Sequence, residues 1–300
     1  MKSNALLAAG LTSLMWGLTG IFVRLLPPLS ALPVTAGRLL VALVVVLPVL
    51  GLLRSSRRSF KSALGCPVAY VLALLLTGYY LLATAAFQMA PVAEVALLLS
   101  SPPFFVLIFR RVRGAIPDRA EIAGAVLAVA GITLILGSKM SFTGELPVHH
   151  LTGKLLAICA AGLAAFYAYM YRILAERGSA PETMGVAFLT FGLGGFILVL
   201  ILGLVPTPSG WGALNGDALL VFLGLGVLST AIPTIGFAVA SRHLPAIVTA
   251  MISLFIPLFA GIFAFLVLGE RLTPMFIPGG MLVLGGVAMI LRQDRDKAND

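Results

Sequence analysis

Apolar residues run along this chain in ten stretches, roughly 4–26, 33–53, 68–88, 92–109, 120–137, 153–174, 183–204, 217–240, 246–268 and 274–291. Each is close to the ~20 residues a helix needs to cross the hydrocarbon core, where lipid offers no partner to an exposed backbone group. The pattern predicts an all-α membrane protein of ten transmembrane helices, with several connections little more than a turn. No segment is long or polar enough for a soluble domain. The first stretch begins almost at Met1, shows no small-residue cleavage site followed by a polar region, and runs straight into further spans. It is read as a retained helix rather than a signal peptide.

Composition excludes the alternatives. The chain is 60% hydrophobic and only 10% charged, with a mean hydropathy of +1.09. A soluble domain is roughly a quarter charged, and one this apolar would expose large patches to water. Cys66 and Cys159 form no disulfide or metal pattern. The net charge of +9, from 20 Lys and Arg against 11 Asp and Glu, is explained by where the cations sit. With the N-terminus in the cytoplasm, the inner side collects Lys2, Arg54, Arg57, Arg58, Lys61, Arg110, Arg111, Arg113, Arg119, Arg172, Arg177, Arg242, Arg292, Arg295 and Lys297. The outer side holds Arg24, Lys139, Lys154 and Arg271, and Arg38 lies within a span. This bias places both termini inside. It also removes the support for nucleic-acid binding, since no basic stripe interleaved with aromatics exists outside the membrane ends.

The chain repeats itself. Pro91-Val92-Ala93 through Pro103 lies over Pro245-Ala246-Ile247 through Pro257 at a spacing of 154 residues, and Gly124 and Gly131 match Gly279 and Gly286 at 155. Trp16 corresponds to Phe166. The unit holds five helices, an odd number, so two consecutive copies enter the membrane from opposite sides. Inverted repeats of this kind mark many alternating-access transporters. The halves are residues 1–140 and 141–300, the second ending in a short basic tail.

Arg242-His243-Leu244-Pro245-Ala246, Pro257, Leu268-Gly269-Glu270-Arg271-Leu272-Thr273-Pro274 and Gly279 through Gly286 resemble the second half of an EamA-type transporter of the drug/metabolite transporter superfamily. Trp16-Gly17 and Arg38 also resemble the family pattern. Two positions depart from it. The first half has Arg110-Arg111-Val112-Arg113-Gly114 where a Leu-Gly-Glu would stand, and Ile256 occupies a position where many members carry Glu. The nearest resemblance is to the YddG-type bacterial exporters of aromatic amino acids. It implies a ten-helix basket in the bacterial inner membrane, with a central cavity walled by helices one, three, four, six, eight and nine.

Polar residues at helical spacing within apolar stretches point inward, because small and polar residues mediate helix contacts in lipid. Such stripes are Thr12, Trp16 and Thr19; Thr77, Tyr80, Thr84 and Gln88; Glu94, Ser101 and Phe105; Phe166, Tyr169 and Met170; Thr230, Thr234 and Phe237; and Thr249, Ser253 and Pro257. The candidate substrate-binding residues are therefore Trp16, Thr12, Arg38, Tyr80, Thr84, Gln88, Ser101, Phe166, Tyr169, Phe237 and Ser253. Any single Ser or Thr has an alternative, bonding the carbonyl of its own preceding turn. Arg38 either snorkels outward as an anchor or binds a carboxylate. Glu94 either caps its helix in the dipole field or couples transport to protons. Glu270 and Arg271 are expected to satisfy the tight turn before Pro274, and His149-His150 is read as a loop dipeptide. Pro102, Pro103, Pro233 and Pro257 free carbonyls near mid-membrane, and the repeat-related Pro103 and Pro257 are expected to kink helices four and nine for gating. Gly192, Gly194, Gly195, Gly224 and Gly226 read as close helix packing.

The expectation is an exporter of small amphipathic metabolites, aromatic amino acids first, working by alternating access without a cofactor or metal. Aromatic walls suit a planar drug cation equally well, and a passive channel also stays open, as do proton antiport and facilitated diffusion. An intramembrane enzyme is disfavoured because all five aspartates lie in loops, at a span end or in the tail, and no Gly-x-Ser-x-Gly occurs. The expected partners are the lipid bilayer and a small-molecule substrate, with a homodimer left open.

Overall fold

A computed structural model describes residues 2–112, 114, 119–137, 148–204, 216–236, 255–270 and 274–299. All regular structure among them is helical. Helices α1 (Lys2–Gly17) and α2 (Thr19–Leu25) form one rod stepped at Leu18, followed by α3 (Ala31–Leu52), α4 (Arg54–Leu64) and α5 (Pro67–Met89). Then come α6 (Val92–Leu99), α7 (Pro102–Val112), α8 (Arg119–Gly137) and α9 (Val148–Glu176). The remainder is α10 (Thr183–Leu189), α11 (Gly195–Leu204), α12 (Gly216–Gly226), α13 (Ile256–Leu268) and α14 (Phe276–Asn299). π-helical segments Thr190–Gly194 and Val227–Ala231 join α10 to α11 and extend α12, which continues helically to Gly236. The expected boundary between halves, near residue 140, lies outside the described residues.

Among the described residues, five helices are long and apolar enough to cross a membrane: Ala31–Leu52, Pro67–Met89, Val148–Ala175, Thr183–Leu204 and Gly216–Gly236. Gly10–Leu25, Ile122–Gly131, Ile256–Leu268 and Phe276–Gly286 are shorter apolar helices. The outer surface carries Val44, Leu47, Phe196, Leu200, Leu258 and Phe265, while Thr35, Arg38, Thr84, Glu94, Lys154 and Thr230 are buried. This is the reverse of a soluble fold, as expected where lipid meets the outside and polar groups must find partners within.

Three readings are corrected. Residues 54–64, left between the expected spans 33–53 and 68–88, form a further helix, α4, whose Ser56, Ser59 and Ala63 are buried. α9 begins at Val148, five residues before the expected span, so His149 and His150 stand in a helical first turn and Lys154 is inside the fold. Glu270 reaches across to another helix: its Oε2 accepts the Val92 N–H of α6 at 2.9 Å. The fourth span is interrupted at Ser100 and Ser101, just before Pro102 and Pro103. Pro102 removes the N–H that would pair with the Leu98 carbonyl, and Ser101 replaces it, its Oγ donating to Leu98 O at 2.6 Å. Pro257 is buried in the first turn of α13, and residues 251–254 before it lie outside the description.

Helices from both ends of the chain interleave. α8 packs along α14, α3 along α11 and α6 along α13; α1 packs on α13 as α6 does on α9, and α5 on α10 as α3 does on α12. The α8–α14 contact is made by glycines. A Cβ on Gly131 would meet Gly279 O at 2.5 Å and Val283 N at 2.7 Å, and one on Gly286 would meet Gly124 O and Ala128 N. Backbone cannot yield as a side-chain tip can, so Gly286→Ala is expected to destabilise by about 1–3 kcal/mol, although Ala is the better helix former by ~1 kcal/mol. Gly285→Ala, which meets open space, should not. Thermal melting in detergent checks this; equal midpoints for the two variants would refute the close-contact reading.

Candidate functional site

The buried face of α3 repeats as Val34, Thr35, Arg38, Leu39, Ala42 and Val46. Arg38 falls on it, opposite the outward Leu40, Val44 and Leu47, and does not snorkel. Its side chain is 1% exposed. Nε donates to Thr230 Oγ1 at 2.9 Å, Nη1 to Thr84 Oγ1 at 3.4 Å and Nη2 to the Ser229 carbonyl at 3.1 Å. The guanidinium lies over the Tyr80 ring, 4.6 Å from its centroid, a cation–π contact strengthened by desolvation.

Local sequence explains why those acceptors are there. Ser229 is four residues before Pro233, so its carbonyl has no α-helical N–H to receive; Arg38 supplies the donor. The π segment Val227–Ala231 sets the register, and Thr230 Oγ1 donates back five residues to Leu225 O at 2.9 Å. Such single π turns recur at functional sites. Gly226 lets α12 close on α3, since a Cβ there would meet Val41 and lie 3.2 Å from Arg38 O. Thr234 Oγ1 donates to Thr230 O at 2.6 Å, which leaves it to accept the Tyr80 hydroxyl at 2.9 Å.

This cluster borders a cavity of about 40 Å³ lined by Trp16, Thr19, Arg38, Tyr79, Tyr80, Ala83, Phe87, Ala96, Leu99, Ser100 and Ile256. That volume holds a few waters, so a larger ligand requires the walls to part. The three acceptors that Arg38 meets among the described residues are neutral. Among the described residues no carboxylate pairs with it, and two of its five N–H groups carry no protein acceptor. A buried charge without a counter-charge is costly. Arg38 thus stands at the cavity wall beside the aromatic rings of Trp16, Tyr79, Tyr80 and Phe87.

One end of the molecule is tied over this cavity at the α5–α6 turn. Arg24 Nη2 donates to Ala90 O at 2.8 Å, and Gln88 Nε2 donates to Leu29 O at 2.9 Å. His149 Nδ1 donates to Met89 O at 3.4 Å, and Gly153 lies so close that a Cβ would be 2.8 Å from Met89 Cβ. Lys154 Nζ and Glu94 Oε2 form an ion pair at 2.9 Å, each side chain 2% exposed.

Of the sequence-derived candidates, Trp16, Arg38 and Tyr80 line the cavity, and Thr84 joins through Arg38. Thr12 is buried outside the lining, Gln88 belongs to the closed end, and Ser101 serves the helix break. Phe166 and Tyr169 pack against Phe109, ring centroids 5.6 and 5.8 Å away, not against the cavity. Pro103 lies in the first turn of α7, and Phe237 and Ser253 lie outside the described residues. Ser229, Tyr79, Phe87 and Lys154 were not among the candidates. Pro233 was the available signal for Ser229. Among the described residues no group of three His, Cys, Asp or Glu side chains could hold a metal ion.

The sequence pattern of the EamA-like transporter family matches residues 3–137 and 151–292. A protein of Archaeoglobus fulgidus with the name "Uncharacterized transporter" is 26% identical over 283 residues, 94% of this chain and 94% of that protein. A crystal structure of another protein, 20% identical in sequence, matches with a TM-score of 0.68 over 98% of this chain and 99% of that one, which shows a shared fold.

Proposed function

The chain belongs to the EamA-like transporter family of multi-pass membrane proteins, and on that premise we propose that it exports small amphipathic carboxylates, aromatic amino acids first among them. The observation that carries the reading is Arg38: a buried guanidinium held, among the described residues, by neutral oxygens and stacked on Tyr80 at the wall of an aromatic cavity. The substrate carboxylate takes the two N–H groups that remain, as a bidentate pair. Its ring lies among Trp16, Tyr79 and Phe87.

The transport cycle is read as alternating access between two inverted five-helix halves, residues 1–140 and 141–300, with ten spans, both termini cytoplasmic and a bacterial inner-membrane location. The paired helix contacts support it. Exchanging each helix of one half with its counterpart in the other maps α1–α13 onto α9–α6 and α5–α10 onto α12–α3, and maps α6–α13 and α8–α14 onto themselves. Gly131 on Gly279 likewise exchanges with Gly286 on Gly124. A two-fold relation between the halves produces such reciprocal contacts. The helix break before Pro102 and Pro103 supplies a hinge near the cavity. The tied α5–α6 turn favours this cycle over a continuously open channel, and Arg38 disfavours a drug cation by like charge.

The test is counterflow of labelled phenylalanine and tryptophan into proteoliposomes. Saturable, protein-dependent exchange is expected, competed by unlabelled tryptophan and not by its methyl ester, which lacks the carboxylate. Absence of exchange with either amino acid would overturn the substrate assignment. Repeating the assay with an imposed pH gradient separates antiport from facilitated diffusion.

A further inference from the structure

We infer that α4 is a docking face for anionic phospholipid headgroups. Its sequence, Arg-Ser-Ser-Arg-Arg-Ser-Phe-Lys-Ser-Ala-Leu, holds four cations and no acid. They stand at positions 54, 57, 58 and 61, the i, i+3, i+4, i+7 spacing of one helix face, and all four are exposed. A charge bias that merely orients a membrane protein depends on how many cations a loop holds, not on their helical register. Here the register is set by packing of the opposite face. Ser59 Oγ accepts the Gly185 N–H of α10 at 2.9 Å, and Phe60 meets Phe188 edge-on at 5.8 Å. A Cβ on Gly185 would lie 2.6 Å from Ala63 Cβ, so α4 is seated against α10 without slack.

The position of α4 is that of a headgroup layer. It begins two residues after the last residue of α3, a spanning helix, and ends three residues before α5, another. Leu52 and Leu53 precede it and Leu64 closes it, and all three are exposed. An amphipathic helix with apolar flanks and a cationic face lies in the interface plane, its cations at the level of lipid phosphates. Arg57 is committed to the end of α3, donating to the Leu50 and Gly51 carbonyls. Arg54, Arg58 and Lys61 remain, and Glu182 at the start of α10 pairs with none of them. Arginine forks match a phosphodiester bidentately. The occupant is an anionic phospholipid bound by its phosphate.

The experiment measures binding of fluorescent phosphatidylglycerol and phosphatidylcholine to the purified full-length protein in detergent micelles. Wild type is expected to prefer phosphatidylglycerol. The variant R54Q/R58Q/K61Q is expected to lose about a hundredfold of that affinity, at roughly fivefold per charge near a lipid surface. R54K/R58K, which keeps the charge and serves if the triple variant does not fold, should lose less than about tenfold. R111Q/R119Q/R177Q removes three exposed cations elsewhere and should bind as wild type. Three outcomes would overturn the proposal: no lipid preference in wild type, equal loss in both triple variants, or displacement of the labelled lipid by millimolar inorganic phosphate. None depends on the transported substrate.

Discussion

Arg38→Met is expected to give a folded protein that no longer exchanges aromatic amino acids, with kcat/KM for counterflow down at least about a hundredfold. Hydrogen bonds to a charged group contribute about 1.5–3 kcal/mol each, and the proposed bidentate contact would lose two. Arg38→Lys should recover little, because an ammonium offers neither the fork nor the flat face that stacks on Tyr80. Stability should move differently. The variant no longer buries a charge that has no counter-charge among the described residues, while the Ser229 carbonyl, already deprived of a helical donor by Pro233, loses Arg38 as well. These effects oppose each other, so the thermal midpoint should change by no more than the equivalent of about 2 kcal/mol. Lost activity with retained stability separates function from fold at this site. Wild-type exchange in a well-folded Arg38→Met protein would remove Arg38 from the substrate path.

The helices were legible in the sequence because lipid enforces contrast: a spanning helix must be apolar along its length, so its polar exceptions stand out. Arg38, Trp16 and Tyr80 were found in this way. Arg38's partners were not, since Thr230 and Ser229 are 192 and 191 residues distant and depend on how α12 is turned by its π segment. Phe166 and Tyr169 look the same as Tyr80 in a stripe, yet they pack on Phe109 because α9 turns that face toward α7. The register of α4 was present in the spacing of four cations, but counting charge by side discards spacing. Lys154 was assigned to the exterior because the apolar run of its helix was taken to start at 153. The helix starts at Val148, since a lysine that meets Glu94 does not need to end a span.

Neutralising either member of the Glu94–Lys154 pair is expected to be among the most damaging single changes in the protein. With both side chains 2% exposed and 2.9 Å apart, Glu94→Gln or Lys154→Met takes the ion-pair partner from a buried charge, at a cost of about 3–5 kcal/mol. The double variant Glu94→Gln/Lys154→Met leaves no charge behind and should recover most of that loss, because replacing both ions with neutral groups is often nearly neutral. Melting midpoints of the four proteins form the double-mutant cycle. A double variant as unstable as the singles would show that the energy resides elsewhere. The same four proteins decide what the pair does in transport. Lys154 on α9 and Glu94 on α6 join the two proposed halves at the tied end, beside Arg24, His149 and Glu270. An ion pair there is strong while water is excluded and weak once it enters, so it holds one arrangement closed without opposing the other after the first waters penetrate. The double variant should therefore still exchange substrate and keep any response to a pH gradient, but close less completely, raising the unstimulated leak. Loss of the gradient response alone would instead make Glu94 the proton carrier.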